Sequence, residues 1–228
     1  MKLVFSGLEL PIRFESGVCS TIEIANEALF ARIAVSLLSG LGDAADEPYS
    51  FWEDHKEVKS KDALLFISSP LELPWNERLL AKETINKIER EFLLDESARL
   101  AVGDARNIVT HQLRELSVCF EHDYDLEIEW DFKKLLKFCG FDVSYSQDKS
   151  LLDNLMNFLS YAKDSGDKRV LVFANLKNFL TENEFNAFLE HVFYLKIKVL
   201  LIENKQSESR YSNERKLVVD HDFLEFYA

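Results

Sequence analysis

The apolar positions change period along the chain, and each change marks an element. Short alternating stretches at 2–6, 10–14 and 21–24, separated by Gly7 and Gly17, predict strands. From Asn26 to Leu38 the spacing shifts to helical, with Leu29, Ile33 and Leu37 on one face and Gly40 and Gly42 as the stop. Ala63 to Ile67 is a continuous apolar run that suits a strand buried on both faces. Beyond Asn76 the period is helical to about Phe120. Ala81, Ile85, Ile88 and Phe92 form one stripe and Ala105, Val109, Leu113, Leu116 and Phe120 another, so two long helices with a break near Asp95 or Gly103 are expected.

After Gly140 a helix is expected from about Ser150 to Lys163. Strand patterns follow at 169–174 and 198–202, with a helix between them that Thr181 caps together with Glu184 three residues on. Strand, capped helix and strand within some thirty residues make a βαβ unit and imply parallel pairing. The predicted fold is therefore α/β. A mainly parallel head is built from residues 1–72 and 140–228, and a helical leg, residues 73–139, is inserted between them.

Composition narrows the function. The 228 residues carry 27 Lys and Arg against 40 Asp and Glu, a net charge of −13, and 47% are hydrophobic. That is enough apolar content for a core. The net charge disfavours indiscriminate attraction to nucleic acid or anionic membrane, so any polyanion must be met by a local basic lining. No apolar run approaches membrane-spanning length, and the first residues do not read as a secretory signal, so a cytoplasmic protein without a membrane partner is expected. Cys19, Cys119 and Cys139 lack any CxxC spacing and read as reduced core thiols.

Two segments stand out chemically. Asp123, Asp125, Glu127, Glu129 and Asp131 alternate with Tyr124, Leu126, Ile128 and Trp130, and no Lys or Arg falls between Glu115 and Asp131. In an extended chain, period two places all five carboxylates on one side, where they repel. A Ca²⁺ ion, which takes about six to eight oxygen ligands in flexible geometry, would relieve that repulsion; a solvated acidic face is the alternative. The second segment holds Lys56, Lys59 and Lys61 at the approach to the buried strand. Those lysines can meet phosphates, or simply form a solvated turn with the interleaved Glu53, Asp54, Glu57 and Asp62. GxxxxGK[ST], HExxH and GxSxG are all absent, so nucleotide hydrolysis, zinc hydrolysis and a serine triad have no anchor.

Five further stretches, in order, resemble a known family: 5–12 (FSGLELPI), 51–56 (FWEDHK), 179–184 (FLTENE), 199–203 (VLLIE) and 220–224 (DHDFL). Together they are similar to the small adaptation protein of type II-A CRISPR systems, over most of the chain. The resemblance implies a non-catalytic, cytoplasmic, DNA-binding protein of spacer acquisition in antiviral defence. It implies a homotetrameric ring holding double-stranded DNA ends in a positively lined opening, supported by bound calcium and working with other CRISPR adaptation proteins. It also implies a nucleotide-hydrolase-like head without a phosphate loop, and it places the family's metal-binding stretch at Asp125 to Glu127. The chain departs from the family at Lys133 and Lys134, where relatives tend to carry another carboxylate. Either Glu129 and Asp131 substitute as ligands, or dependence on calcium is weaker. The alternative from a different class is a metal-dependent nuclease or phosphoryl-transfer enzyme that uses the same carboxylates.

Overall fold

The computed structural model describes residues 1–122, 131–143 and 148–228. In chain order the elements are β1 (Lys2–Phe5), β2 (Ile12–Arg13), β3 (Cys19–Ile24), α1 (Glu27–Ser39), β4 (Tyr49–Glu53), β5 (Lys56–Val58), α2 (Ser60–Ala63) and β6 (Leu64–Ile67). The helices α3 (Arg78–Leu94), α4 (Glu96–Ser117) and α5 (Phe132–Phe138) follow. The chain ends with α6 (Leu151–Ser165), β7 (Val170–Ala174), α7 (Glu182–Leu195), β8 (Val199–Glu203), β9 (Glu214–Val219) and β10 (Glu225–Tyr227). These divide into two compact units, one of Met1–Trp75 with Tyr145–Ala228 and the other of Asn76–Ser144.

The first unit is a mixed α/β body. Its main sheet has the order β10-β9-β3-β8-β7-β6, parallel at every pairing except the antiparallel β10 edge. A second, antiparallel sheet runs β2-β1-β4-β5. Alternation along the strands sends Ile22, Ile24, Val170, Val172, Leu200, Ile202, Leu217 and Val219 into one buried cluster with Leu29, Ile33 and Leu37 of α1 and Leu3, Phe5, Tyr49 and Phe51 of the small sheet. On the opposite face Phe173 meets Phe188 of α7 edge to face at 6.1 Å.

Local chemistry accounts for the ends of these elements. The Asn26 side chain accepts the Leu29 N–H to start α1, and Gly40, at φ 66°, closes it in the left-handed region that glycine adopts without penalty. Thr181 and Glu184 form the reciprocal capping box of α7. The break between α3 and α4 falls at Asp95, whose carboxylate caps α4 through the Ala98 N–H, while Gly103 continues inside the helix.

The 64–67 strand is buried on both faces: Leu64 is 7% and Ile67 1% exposed, and alternation points them to opposite sides. It is also the edge of the parallel sheet, which an apolar run does not report. One expectation needs correction. Of the three thiols only Cys19 lies in the core, where burial and then the Glu214 charge push its pKa well up; Cys119 and Cys139 are exposed.

In the second unit Phe92 and Phe132 stack at 4.0 Å, and Lys133 binds Glu89 and Asn86, each at 3.0 Å. No residue of α4 is buried, and Leu100, Ile108 and Leu116 are 62%, 65% and 64% exposed. No described helix is long and apolar enough to cross a membrane.

Candidate functional site

The lysine segment sits on a tight hairpin and the short helix after it. Glu53 of β4 and Lys56 of β5 are directly opposite one another, and the two residues between them, Asp54 and His55, have φ of 47° and 63°, as a two-residue type I′ turn requires. Lys59 precedes the first turn of α2 and Lys61 lies within it. Lys59 and Lys61 line one cleft of 410 Å³ with Asp43, Glu57 and Ser60; Lys56 is outside that cleft, at the hairpin. Gly42 makes this close approach possible: its φ is 61°, and a Cβ there would stand 3.0 Å from Ser60 Oγ. All three lysines are exposed, and among the described residues none of their ammonium groups is in an ion pair. Glu53, the register partner of Lys56, is instead bound by Lys198 at 3.2 Å.

Of the acidic segment, Asp123, Asp125, Glu127 and Glu129 lie outside the described residues. Asp131 is described, and it is the N-cap of α5. Its carboxylate accepts the Lys134 N–H at 3.0 Å, which holds its pKa below the usual carboxylate value. Among the described residues no group of three or more His, Cys, Asp or Glu side chains is placed to hold a metal ion.

The densest buried polar cluster was not anticipated from sequence. It lies toward the carboxyl ends of β3 and β8, the region where open parallel sheets bind ligands. The register pairs Glu23 with Glu203, Thr21 with Lys216 and Cys19 with Glu214, so these side chains share one face of the sheet. Glu23 is 0% exposed, Glu203 2% and Lys216 4%, which forces their charges to be answered inside the protein. Lys177, just after β7, donates to Glu214 Oε1 at 2.7 Å and Glu23 Oε1 at 2.9 Å. Thr21 Oγ1 donates to the same Glu214 oxygen at 2.6 Å. Lys216 Nζ donates to the Ser207 carbonyl at 2.7 Å and lies 3.4 Å from Glu23 Oε1, and the Ser207 N–H donates to Glu23 Oε2.

Three carboxylates face two ammonium groups here, and the imbalance falls on Glu203. Burial pushes its pKa up to about 7, against the lowering effect of the Lys177 N–H, which donates to Glu203 Oε1 at 3.1 Å. Burial alone would pull Lys177 down. The attraction and hydrogen bond of Glu214, followed by those of Glu23, outweigh burial and leave Lys177 raised, firmly cationic. Lys177, Glu203 and Ser207 also line an adjacent cleft of 240 Å³.

This arrangement has no room for a phosphate cradle. Only Ala25 and Asn26 separate β3 from α1, too few for a glycine-rich loop, and the first turn of α1 carries Glu27. Both lysines of the cluster already serve carboxylates. The visible sign in the sequence was a charge, Glu23, inside an otherwise apolar and hydroxyl-bearing strand.

Comparison with known proteins places the chain among its relatives. The family model described as "CRISPR-associated protein (Cas_Csn2)" matches residues 42–223. A protein of Enterococcus faecalis named "CRISPR-associated protein Csn2" is 22% identical over 172 residues, covering 75% of this chain and 68% of that protein. The crystal structure of Stu0660 of Streptococcus thermophilus matches with a TM-score of 0.56 and 17% identity, over 96% of this chain and 75% of that one. At that identity the structural likeness speaks for the fold.

Proposed function

Since this chain belongs to the Csn2 family of CRISPR-associated proteins, we propose that it is a non-catalytic DNA-end-binding protein of spacer acquisition, working as a homotetrameric ring with other adaptation proteins. The observation that carries the reading is α4. A 22-residue helix with no buried residue and with Leu100, Ile108 and Leu116 open to water is an unfinished interface, and a second copy of the chain completes it. The head favours binding over catalysis, because its crevice is filled by internal ion pairs where a nucleotide hydrolase needs a phosphate loop.

Duplex DNA would be met by local charge. Four chains carry four times −13, so overall attraction is excluded, and Lys56, Lys59 and Lys61 from each copy would line the opening. Such backbone contacts carry no sequence information and weaken with salt. Calcium belongs to the same proposal, held by Asp123, Asp125, Glu127, Glu129 and Asp131. Five carboxylates within nine residues are the support for it, and the ion would supply charge neutralisation rather than chemistry.

The test is a mobility-shift assay with linear duplex and covalently closed circular duplex, each with Ca²⁺, Mg²⁺ or Mn²⁺. The expected result is retarded, full-length linear DNA and little retention of the circle. Equal retention of both contradicts end loading, and shortened DNA replaces the proposal with a metal-dependent nuclease.

A further inference from the structure

A second basic surface lies at the amino-terminal edge of the parallel strands, opposite the buried Glu23–Glu203 cluster and on the same edge as the hairpin of Lys56. The ends of α6 and α7 and the starts of β7 and β8 enclose a cleft of 330 Å³ whose charged lining is Lys163, Lys168, Arg169, Lys196 and Lys198 against the single carboxylate of Asp167. In a chain of net charge −13 that local excess needs a reason. We propose that this cleft is a second contact surface for the phosphate backbone of duplex DNA, an inference that rests on the DNA-binding reading above.

Structural ion pairs engage Arg169 and Lys198 but not the other three cations. Asp167 is already engaged by Arg169, at 2.7 Å through Nη2 and 2.8 Å through Nε. Cations near helix ends often serve the last carbonyls, but here backbone groups do so. The Gly166 N–H donates to Lys163 O at 3.0 Å, the Asp167 N–H to Ala162 O at 3.3 Å, and the Lys196 N–H to Phe193 O at 3.3 Å. Lys163, Lys168 and Lys196 are exposed, and among the described residues their ammonium groups have no partner. Asp164, beside Lys163 in sequence, does not line the cleft.

The closing residue of α7 points the same way. Helix α6 ends on Gly166 at φ 77°, the usual solution, whereas α7 ends on Lys196 at φ 54°. A long side chain at a left-handed position that glycine fills without strain is kept at a cost, which directs attention to what the side chain does.

The cations come from two helix ends and two adjacent strands around one cleft, and Lys198 links them to the hairpin of Lys56 through Glu53 at 3.2 Å. Several cations gathered in this way can meet more than one phosphate along a strand.

The experiment is duplex affinity, read by fluorescence anisotropy over a series of salt concentrations, for the full chain and for the triple variant Lys163→Gln, Lys168→Gln, Lys196→Gln. All three positions are exposed, and circular dichroism checks the fold. Three lost phosphate contacts make the slope of log affinity against log salt shallower by about 2.7 for each protomer engaged. A triple variant with the unaltered chain's slope overturns this surface while leaving the DNA-binding reading intact. An unaltered chain that binds no duplex at the lowest salt overturns both. A triple variant that loses mass by light scattering overturns the proposal in favour of an interface between copies.

Discussion

The Lys177 ammonium lies 2.7 Å from Glu214 Oε1 in a pair of which the carboxylate side chain is only 1% exposed. Their contact ties the segment after β7 to the start of β9, across β3 and β8. Removing the cation would leave Glu23, Glu203 and Glu214 with Lys216 alone, and Glu214 Oε2 already has no hydrogen-bond partner. Lys177→Met is therefore expected to cost about 3 kcal/mol, read as a lower urea midpoint. Unchanged stability would mean that the cluster relaxes to neutral carboxyls when the ammonium is gone.

Glu203 gives the head a pH dependence of definite sign. Its folded pKa is raised from 4.5 to about 7, so between those values the folded chain keeps a proton that the unfolded chain has released. Stability from this group consequently falls as pH rises through that window and is flat on either side. The difference amounts to at most about 3 kcal/mol. Glu203→Gln, which keeps an acceptor for the Lys177 N–H, should match the unaltered chain at the acid end and exceed it above neutrality. Stability curves that run parallel across the window would refute this assignment.

The α7 cap is a smaller and more local case. Thr181 Oγ1 accepts the Glu184 N–H at 3.3 Å, and the Glu184 carboxylate accepts the Thr181 N–H at 2.9 Å. The Thr181 N–H, and then the Thr181 hydroxyl, hold the Glu184 pKa below its usual value. Thr181→Ala is expected to destabilise the chain by about 1 kcal/mol in denaturant titration, and Thr181→Ser by much less.

Features set by neighbours in sequence were readable in advance. The spacing of Leu29, Ile33 and Leu37, the Thr181 and Glu184 pair, and the βαβ pattern around α7 all act within a few turns of chain, and they lead directly to the parallel α/β sheet. Features that depend on assembly were not. Nothing in the apolar run at 64–67 says that it forms an edge, because that is decided by which strand lies beside it. The buried cluster was hidden for the same reason: Thr21 and Glu214 are 193 residues apart and meet only through the β3–β9 register. The basic cleft gathers Lys163 and Lys168 with Lys196 and Lys198 across the length of α7, so no single window displays it. Lys59 and Lys61 do share a cleft, whereas Lys56 stands apart on its hairpin. Of the carboxylate run, Asp131 has a helix-capping role that its alternating pattern did not suggest.

The proposal that copies of this chain close into a calcium-supported ring is tested most directly by molar mass in solution, measured by light scattering with excess Ca²⁺ and again after chelation. Four copies of the 26.5 kDa chain are predicted with calcium, with a shift toward smaller species on chelation. A single 26.5 kDa species under both conditions would contradict the account, since the proposed opening is formed between copies.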